Sequence, residues 1–589
     1  MSATINKAAG NDLAVNKVTV HFPSEDLAIE VNEGTRLSEC IRTAGLVSET
    51  PCNGLGLCGK CRVAARGDLF PPEELECRFI NEPNIRLACQ ARVKGDVWIE
   101  LLAKEKQLQT IDHGLEVEIE LDSSVKQVLL PPLARTAQPY LESLSYSCDS
   151  PDLYRKMGKL ELRGTLPSYG VIRDHLLIDL GSEPSEILGV AVDIGTTGLS
   201  AYLINLTSGE TLLKKSCLNP QTEFGGDVLS RISYCQENPQ GPDRLQEAIL
   251  HKVNELVLEL TATRERAERV YQIVIAGNTT MLHFVLGIYP ASLARAPYRP
   301  IFLEQVNLNA KEIGMQINPA GLVVLLPSAS GYVGADILAG LAATAFVKID
   351  HPAVFLDIGT NGEIVANLGG RLLATSAAAG PALEGMNISC GCRAEEGAID
   401  TFFIDDNYEL KFTTISDAKP KGICGSGLID ITASLVKRKI VLASGRFNPK
   451  LDPRIEARIR DKKFYLTEEI YISQSDLRQI QLAKGAIAAG VSILLEETGL
   501  PLESLEEAVI AGAFGYHINP DSIREIGLLP KGFRGKITFV GNSSVEGARL
   551  ALLNKNVLKE INELKRKLEV LELSTDPRFQ DYFVKALGF

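Results

Sequence analysis

One short phrase occurs twice in this chain, and it constrains the fold more than any other feature. Near residue 190 the sequence reads ILGVAVDIGTTGLSAYLINLTSG, and near residue 355 it reads AVFLDIGTNGEIVANLGG. Each copy is an apolar strand, then D-I-G-T-x-G, then a second alternating strand, the one clear internal repeat in the chain. The tight turn exposes backbone N–H groups and a Thr hydroxyl to phosphate oxygens, while the Asp positions Mg²⁺ or its waters. The residues after the turn exclude the commoner nucleotide loops. A dinucleotide-binding loop runs from strand into helix, and a Walker loop needs Gly-Lys-Ser/Thr; here the chain continues as a strand. The bland alternative is two ordinary glycine hairpins, and the matched strand contexts speak against it.

Two phosphate hairpins, one from each half of a duplicated fold, resemble the superfamily of actin, sugar kinases and heat-shock chaperone ATPases. Further loops come in the order that superfamily uses. AGNTTMLHF (276–284) is a strand-to-helix turn whose N-terminus suits an anion. GICGSGLID (422–430) joins a loop to a helix, and AVIAGAFGYH (508–517) resembles the adenosine-contacting strand and turn. FVGNSSVEGARLAL (539–552) resembles the second hinge helix.

The chain has 12 cysteines, and four form a constellation near the N-terminus. PCNGLGLCGKCRV contains C-x5-C-x2-C, Cys52, Cys58 and Cys61, and Cys89 comes after 27 intervening residues. Three close thiolates in one loop and a distant fourth match the plant-type [2Fe–2S] pattern, apart from one extra residue in the first spacing. Gly54, Gly56 and Gly59 permit positive φ, so the loop can wrap a cluster and aim N–H groups at its sulfurs. A zinc site is the alternative, but zinc ligands usually come as two C-x2-C pairs, and only one is present. Cys77 falls outside the spacing and reads as a bystander, Cys40 as a core thiol.

The chain's 589 residues exceed one hydrophobic core, which calls for several domains. Residues 17–31 alternate around Pro23 to Asp26 as a hairpin, and RLSECIRTAGL continues at helical spacing with Gly45 as its cap. The expected fold is multidomain, α+β and α/β. It runs from a β-grasp [2Fe–2S] ferredoxin domain at 1–103 through a linker at 104–120 and a small middle domain at 121–185. A duplicated actin-like ATP-binding domain fills 186–589. The net charge of −13 leaves no basic stripe for nucleic acid. No secretory leader and no run of about 18 apolar residues is present, so the expected place is the cytoplasm. Residues 335–347 read as a buried helix, and 554–573 as an amphipathic helix. The small-residue segment 372–392 is either a partner-facing surface or a helix packed on the sheet. A second cluster at Cys390, Cys392 and Cys424 lacks a fourth ligand. His283 and His517 read as hydrogen-bonded structural residues.

Taken together, nearly the whole chain is similar to the reductive activators of corrinoid proteins in anaerobic bacteria, carried by DIGTTG, AGNTTM, DIGTNGE, GICGSGLID and AGAFG. The resemblance implies an ATP-dependent oxidoreductase that returns an oxidised Co(II) corrinoid to Co(I) by one-electron transfer from a [2Fe–2S] cluster. It implies a corrinoid protein of a methyl-transfer system and an electron donor protein as partners, no nucleic acid or membrane, and room for a homodimer. Carried onto this sequence, Cys52, Cys58, Cys61 and Cys89 hold the cluster. Asp193 and Asp357 are the catalytic carboxylates that position Mg²⁺. Gly195, Thr196, Thr197, Gly359, Thr360, Asn361 and Gly362 hold ATP phosphates, with Gly425, Ser426, Gly427, Gly512 and Gly515 as further nucleotide contacts. A plant-type cluster sits near roughly −400 mV, and moving one electron about 100 mV lower costs about 2.3 kcal/mol, within reach of ATP-driven closure. The rivals are an ATP-driven activator of another redox enzyme, of the dehydratase-activator kind, and a non-enzymatic redox-sensing ATP-binding module.

Overall fold

The computed structural model describes residues 16–46, 56, 59, 61–77, 79–80, 82, 84–102, 115–131, 139, 144, 146–148, 150–162, 167–512 and 518–589. The chain forms two compact units, Met1–Lys106 with Pro220–Gly226, and Gln107–Asn219 with Asp227–Phe589.

The first unit is built on the expected hairpin. β1 (Lys17–Phe22) pairs antiparallel with β2 (Leu27–Asn32), and Asp26 closes the turn with φ 52°. α1 (Leu37–Thr43) buries Leu37, Cys40 and Ile41 against the sheet. β3 (Arg62–Leu69), β4 (Ile85–Leu87) and β5 (Val93–Leu101) complete a sheet of order β2-β1-β5-β3-β4, with β1 and β5 parallel. Alternate residues Val18, Val20 and Phe22, with Val97 and Ile99, face the helix and form the core. A helix across a mixed sheet is the β-grasp arrangement.

In the second unit, β6 (Val125–Leu129), β7 (Tyr169–Arg173) and β8 (Leu176–Gly181) form a small antiparallel sheet. α2 (Pro151–Leu162) packs on it through Leu153 and Met157. The rest is the duplication. β9 (Leu188–Ile194), β10 (Gly198–Asn205) and β11 (Thr211–Leu218) are an antiparallel meander. After α3 (Val228–Glu237) and α4 (Gly241–Thr261), β12 (Val270–Gly277) joins β9 in parallel and leads into α5 (Thr279–Val285). β13 (Val306–Asn309) and β14 (Leu322–Leu325) complete the order β11-β10-β9-β12-β14-β13.

α6 (Ala335–Ala343) leads to the second copy. There β15 (Ala353–Ile358), β16 (Gly362–Leu368) and β17 (Arg371–Ala377) repeat the meander. A side sheet of β18 (Ala398–Ile404), β19 (Leu410–Thr414) and β20 (Gly422–Ile423) comes next, then α7 (Gly425–Lys437) and α8 (Gln474–Thr498). β21 (Glu507–Ala511) joins β15 in parallel and β22 (Lys536–Gly541) joins β21, as β12 and β14 do in the first copy. The parallel strands read as unbroken apolar runs because both faces are covered; every residue of β12 is buried. α9 (Ser543–Leu553) returns from β22 and crosses α6 at small residues, where a Cβ on Gly547 would lie 2.1 Å from the Ala339 carbonyl.

Two expectations change. The helix expected over 554–573 stops early: α10 spans Lys555–Lys567, and Leu568–Val570 becomes β23, paired parallel with β17. Pairing at an open sheet edge wins over continued helical spacing. The segment 372–392 holds no helix packed on the sheet; it completes β17 and then makes a 3-10 turn at Pro381–Glu384.

Candidate functional site

Two of the four predicted cluster ligands lie among the described residues, and the fold brings them together. Cys61 precedes β3 and Cys89 comes after β4; β3 and β4 pair with Arg62 opposite Leu87. The Ala88 amide donates to the Cys61 carbonyl at 2.8 Å. Both thiols are buried, and the Gln90 side-chain amide donates to the Cys89 Sγ at 3.4 Å. The predicted glycine conformations hold at Gly56 (φ 70°) and Gly59 (φ 65°). A Cβ on Gly59 would meet the Phe79 ring at 2.5 Å, so a side chain there is both strained and obstructed. Two buried thiols flanking paired strands, with positive-φ glycines nearby in the sequence, are a donor set that fits a [2Fe–2S] cluster. Cys52, Cys58 and Gly54 lie outside the described residues. Burial pushes the Cys40 thiol up to about 12, in keeping with a core thiol.

The two D-I-G-T-x-G phrases are hairpin turns that meet. Thr197 Oγ1 and Thr360 Oγ1 are 3.4 Å apart. In the first turn the Gly195 amide donates to the Gly198 carbonyl at 2.9 Å; in the second, the Gly359 amide donates to the Asn361 carbonyl at 2.9 Å. The neighbouring parallel strands end alike. A Cβ on Gly277 would stand 2.7 Å from the Ile194 carbonyl, and one on Gly512 would stand 2.4 Å from the Ile358 carbonyl. Both positions need glycine because the next strand runs directly against the turn. Asn278 caps α5 and donates to Thr196 Oγ1 at 3.0 Å, and the buried Arg231 donates to the Thr196 carbonyl. Asn219 donates to the Gly195 carbonyl at 2.8 Å.

Carboxylates gather around the turns. Asp193 accepts from Asn542 Nδ2 at 3.0 Å and Ser544 Oγ at 2.8 Å; burial raises its pKa and these donors oppose the rise. Asp357 is surrounded by like charge instead: burial, then the charges of Asp193 and Glu384, push it up to about 7. Asp336, in the first turn of α6, accepts from the Ile337 amide at 2.9 Å and is raised by burial, Asp357 and Asp193. Glu363 is raised by burial, Asp336 and Asp357, with Ser376 donating to it at 3.3 Å. Burial raises Glu384 to about 7, against a hydroxyl donated by Thr360 at 3.2 Å and the charge of Arg393. Like charges held this close call for a cation. Among the described residues, no three His, Cys, Asp or Glu side chains converge to hold a metal directly.

Gly362, at the end of the second turn, starts β16, where a Cβ would press on Ile487 at 2.9 Å. Gly425, Ser426 and Gly427 open α7 and are buried; Ser426 Oγ lies 3.3 Å from the Cys424 sulfur, and a Cβ on Gly427 would meet the Ile399 carbonyl at 2.1 Å. Gly515 and His517 lie outside the described residues. His283 is structural: its Nδ1 meets the Thr279 carbonyl at 2.7 Å, and its Nε2 accepts from the Ile301 amide at 3.0 Å. Sequence reasoning missed Glu384, Asn542 and Ser544 as site residues. The NSS phrase was visible, but nothing local placed it on Asp193.

Comparison with known proteins agrees with this geometry. Three family profiles match: the 2Fe-2S iron-sulfur cluster binding domain over 21–94, the RACo middle region over 188–348, and the C-terminal ASKHA domain of RACo over 351–589. The corrinoid activation enzyme RamQ of Eubacterium limosum is 30% identical, over 96% of this chain and 98% of its own length. A Methanosarcina barkeri [Co(II) methylated amine-specific corrinoid protein] reductase is 28% identical, over 68% of this chain and 77% of that protein. A solved reductive activator for corrinoid, iron-sulfur protein superposes with a TM-score of 0.73 at 32% identity, covering 97% of this chain and 98% of that one. Among the described residues no helix is long and apolar enough to cross a membrane. The chain belongs to the RACo family, the reductive activators of corrinoid proteins.

Proposed function

We propose that this chain is an ATP-dependent corrinoid activase, reducing the Co(II) of a partner corrinoid protein to Co(I) by one electron. The observation that carries this reading is the pairing, on one chain, of two buried thiols flanking paired β-grasp strands with two facing D-I-G-T-x-G turns. When bound, the [2Fe–2S] cluster supplies a one-electron carrier. Cys52, Cys58, Cys61 and Cys89 would hold it, beside Gly56 and Gly59 at positive φ.

ATP lies along the two turns. The amides of Thr196, Thr197, Thr360 and Asn361 face its phosphates, with the Thr196 and Thr197 hydroxyls as further donors, while Gly195 and Gly359 close the turns. Asp193 and Asp357 orient Mg²⁺ through its waters. Gly362, Gly425, Ser426, Gly427, Gly512 and Gly515 shape the remaining nucleotide surface. Neutralising the carboxylates with Mg²⁺ and phosphate favours the halves drawn together, which gives ATP a differential affinity between two arrangements. The division into 1–103, 104–120, 121–185 and 186–589, cytoplasmic residence, a separate electron donor protein and a homodimer belong to the same proposal.

The test mixes the reconstituted full chain with ATP, a low-potential reductant and an oxidised corrinoid protein of a methyl-transfer system. Growth of Co(I) absorbance above an ATP-free control supports the reading, and none overturns it. Cys61→Ala protein that keeps a complete two-iron spectrum overturns the ligand assignment.

A further inference from the structure

Glu384 reaches the second turn from outside the sheet that carries it. It ends the 3-10 turn Pro381–Glu384, between Gly380 at φ 72° and Gly385 at φ 78°. The backbone behind it is packed too tightly to swing. A Cβ on Gly385 would come within 2.4 Å of the Cys392 carbonyl, and one on Gly391 within 2.0 Å of the Gly385 carbonyl. The Cys-Gly-Cys phrase at 390–392 therefore braces Glu384, which gives that motif a role without a second cluster. The carboxylate lies on the turn itself. Its Oε2 accepts from Thr360 Oγ1 at 3.2 Å, and its Oε1 lies 3.5 Å from where a Gly359 Cβ would stand.

The other carboxylates of the cleft are engaged differently. Asp193 is held by Asn542 and Ser544, Asp336 accepts from its own helix, and Glu363 accepts from Ser376. Asp357 faces the charges of Asp193 and Glu384. Among these five, Glu384 is the one that accepts from a hydroxyl of a phosphate turn; burial raises it to about 7, and the charge of Arg393 opposes that rise.

We propose that Glu384 is the general base of ATP hydrolysis, taking the proton of the water that attacks the terminal phosphate held on the second turn. This rests on the ATPase reading above. A bond forms between the water oxygen and the γ-phosphorus, and the bond from that phosphorus to the β,γ-bridging oxygen breaks. ADP leaves with the electron pair, the proton passes to Glu384, and inorganic phosphate is released; nothing is oxidised or reduced.

The test uses the full chain and compares wild type, Glu384→Gln and Glu384→Asp in three measurements: phosphate release at saturating ATP, ATP affinity, and the Mg²⁺ concentration giving half-maximal ATP binding. Glu384→Gln keeps the shape and removes the base. Its phosphate release falls about 10²- to 10⁴-fold while ATP affinity and Mg²⁺ requirement stay within about threefold, and Glu384→Asp recovers part of the rate. Hydrolysis by Glu384→Gln within about tenfold of wild type overturns the proposal. So does a loss of ATP affinity that added Mg²⁺ restores, because Glu384 is then a metal-holding group. Wild-type protein that binds ATP yet releases no phosphate instead overturns the ATPase reading beneath it.

Discussion

The two phosphate turns share a sequence phrase, a strand order and a glycine at the neighbouring strand end, yet they hold their aspartates in opposite ways. Asp193 is met by two donors from the start of α9. Asp357 is met by like charges, and burial pushes it to about 7. Duplication preserved the backbone of the turn, and the side chains around it diverged. The first aspartate is held by donors, while the second is left among negative charges.

That contrast can be broken most severely through α9, which holds the aspartate of the first turn. Arg549 and Glu546 form a bidentate pair at 2.7 and 2.9 Å, almost wholly buried. Arg549→Ala leaves Glu546 charged and uncompensated, so chemical denaturation should show a loss of about 3–5 kcal/mol. Next, the same substitution in both turns should act with opposite sign. Asp193→Asn presents a donor to Asn542 and Ser544 and destabilises the nucleotide-free protein by about 1–3 kcal/mol. Asp357→Asn removes a disfavoured charge, and its thermal midpoint should rise while its ATP affinity falls.

The pH response sharpens the point. Asp357 and Glu384 both lie at about 7 in the folded protein, above the usual carboxylate range. The folded state therefore holds more protons than the unfolded chain from roughly pH 4 to 7. The stability these groups contribute is complete below about pH 4 and is lost as pH rises through 7, a fall of several kcal/mol without nucleotide. Melting curves across that window should slope downward for wild type and less steeply for Asp357→Asn. Last and smallest, Ser544→Ala removes one of the two donors on Asp193 and should cost about 1 kcal/mol by thermal denaturation.

The repeated hairpins were legible because each is a local event: an apolar run, a glycine turn and a returning strand. The β1–β2 hairpin, α1, the strand-to-helix passage at Gly277 and the helix start after Cys424 were legible for the same reason. The end of α10 was not, because Leu568–Val570 is apolar in either conformation and only the open edge of β17 makes it a strand. Glu384 was hidden in a run of small residues whose composition fits a helix as well as a turn; its meaning lies in its distance to Thr360, 24 residues away in the chain. The pairing of Asn542 and Ser544 with Asp193 spans about 350 residues, beyond any periodicity. The cysteine spacing predicted four ligands, of which Cys61 and Cys89 flank the paired strands β3 and β4.

α9 has commitments along its whole length. Asn542 and Ser544 at its start hold Asp193. One turn further on, Glu546 accepts the Val117 amide at 2.9 Å, and a turn beyond that Arg549 donates to the Val117 carbonyl at 2.7 Å. From Asn542 to Arg549 is ~10 Å of helical rise with no joint between. The helix is thus a push-rod: any tilt that loosens its grip on the first turn also drags the peptide at Val117, on the stretch of chain that leads back toward the cysteine domain.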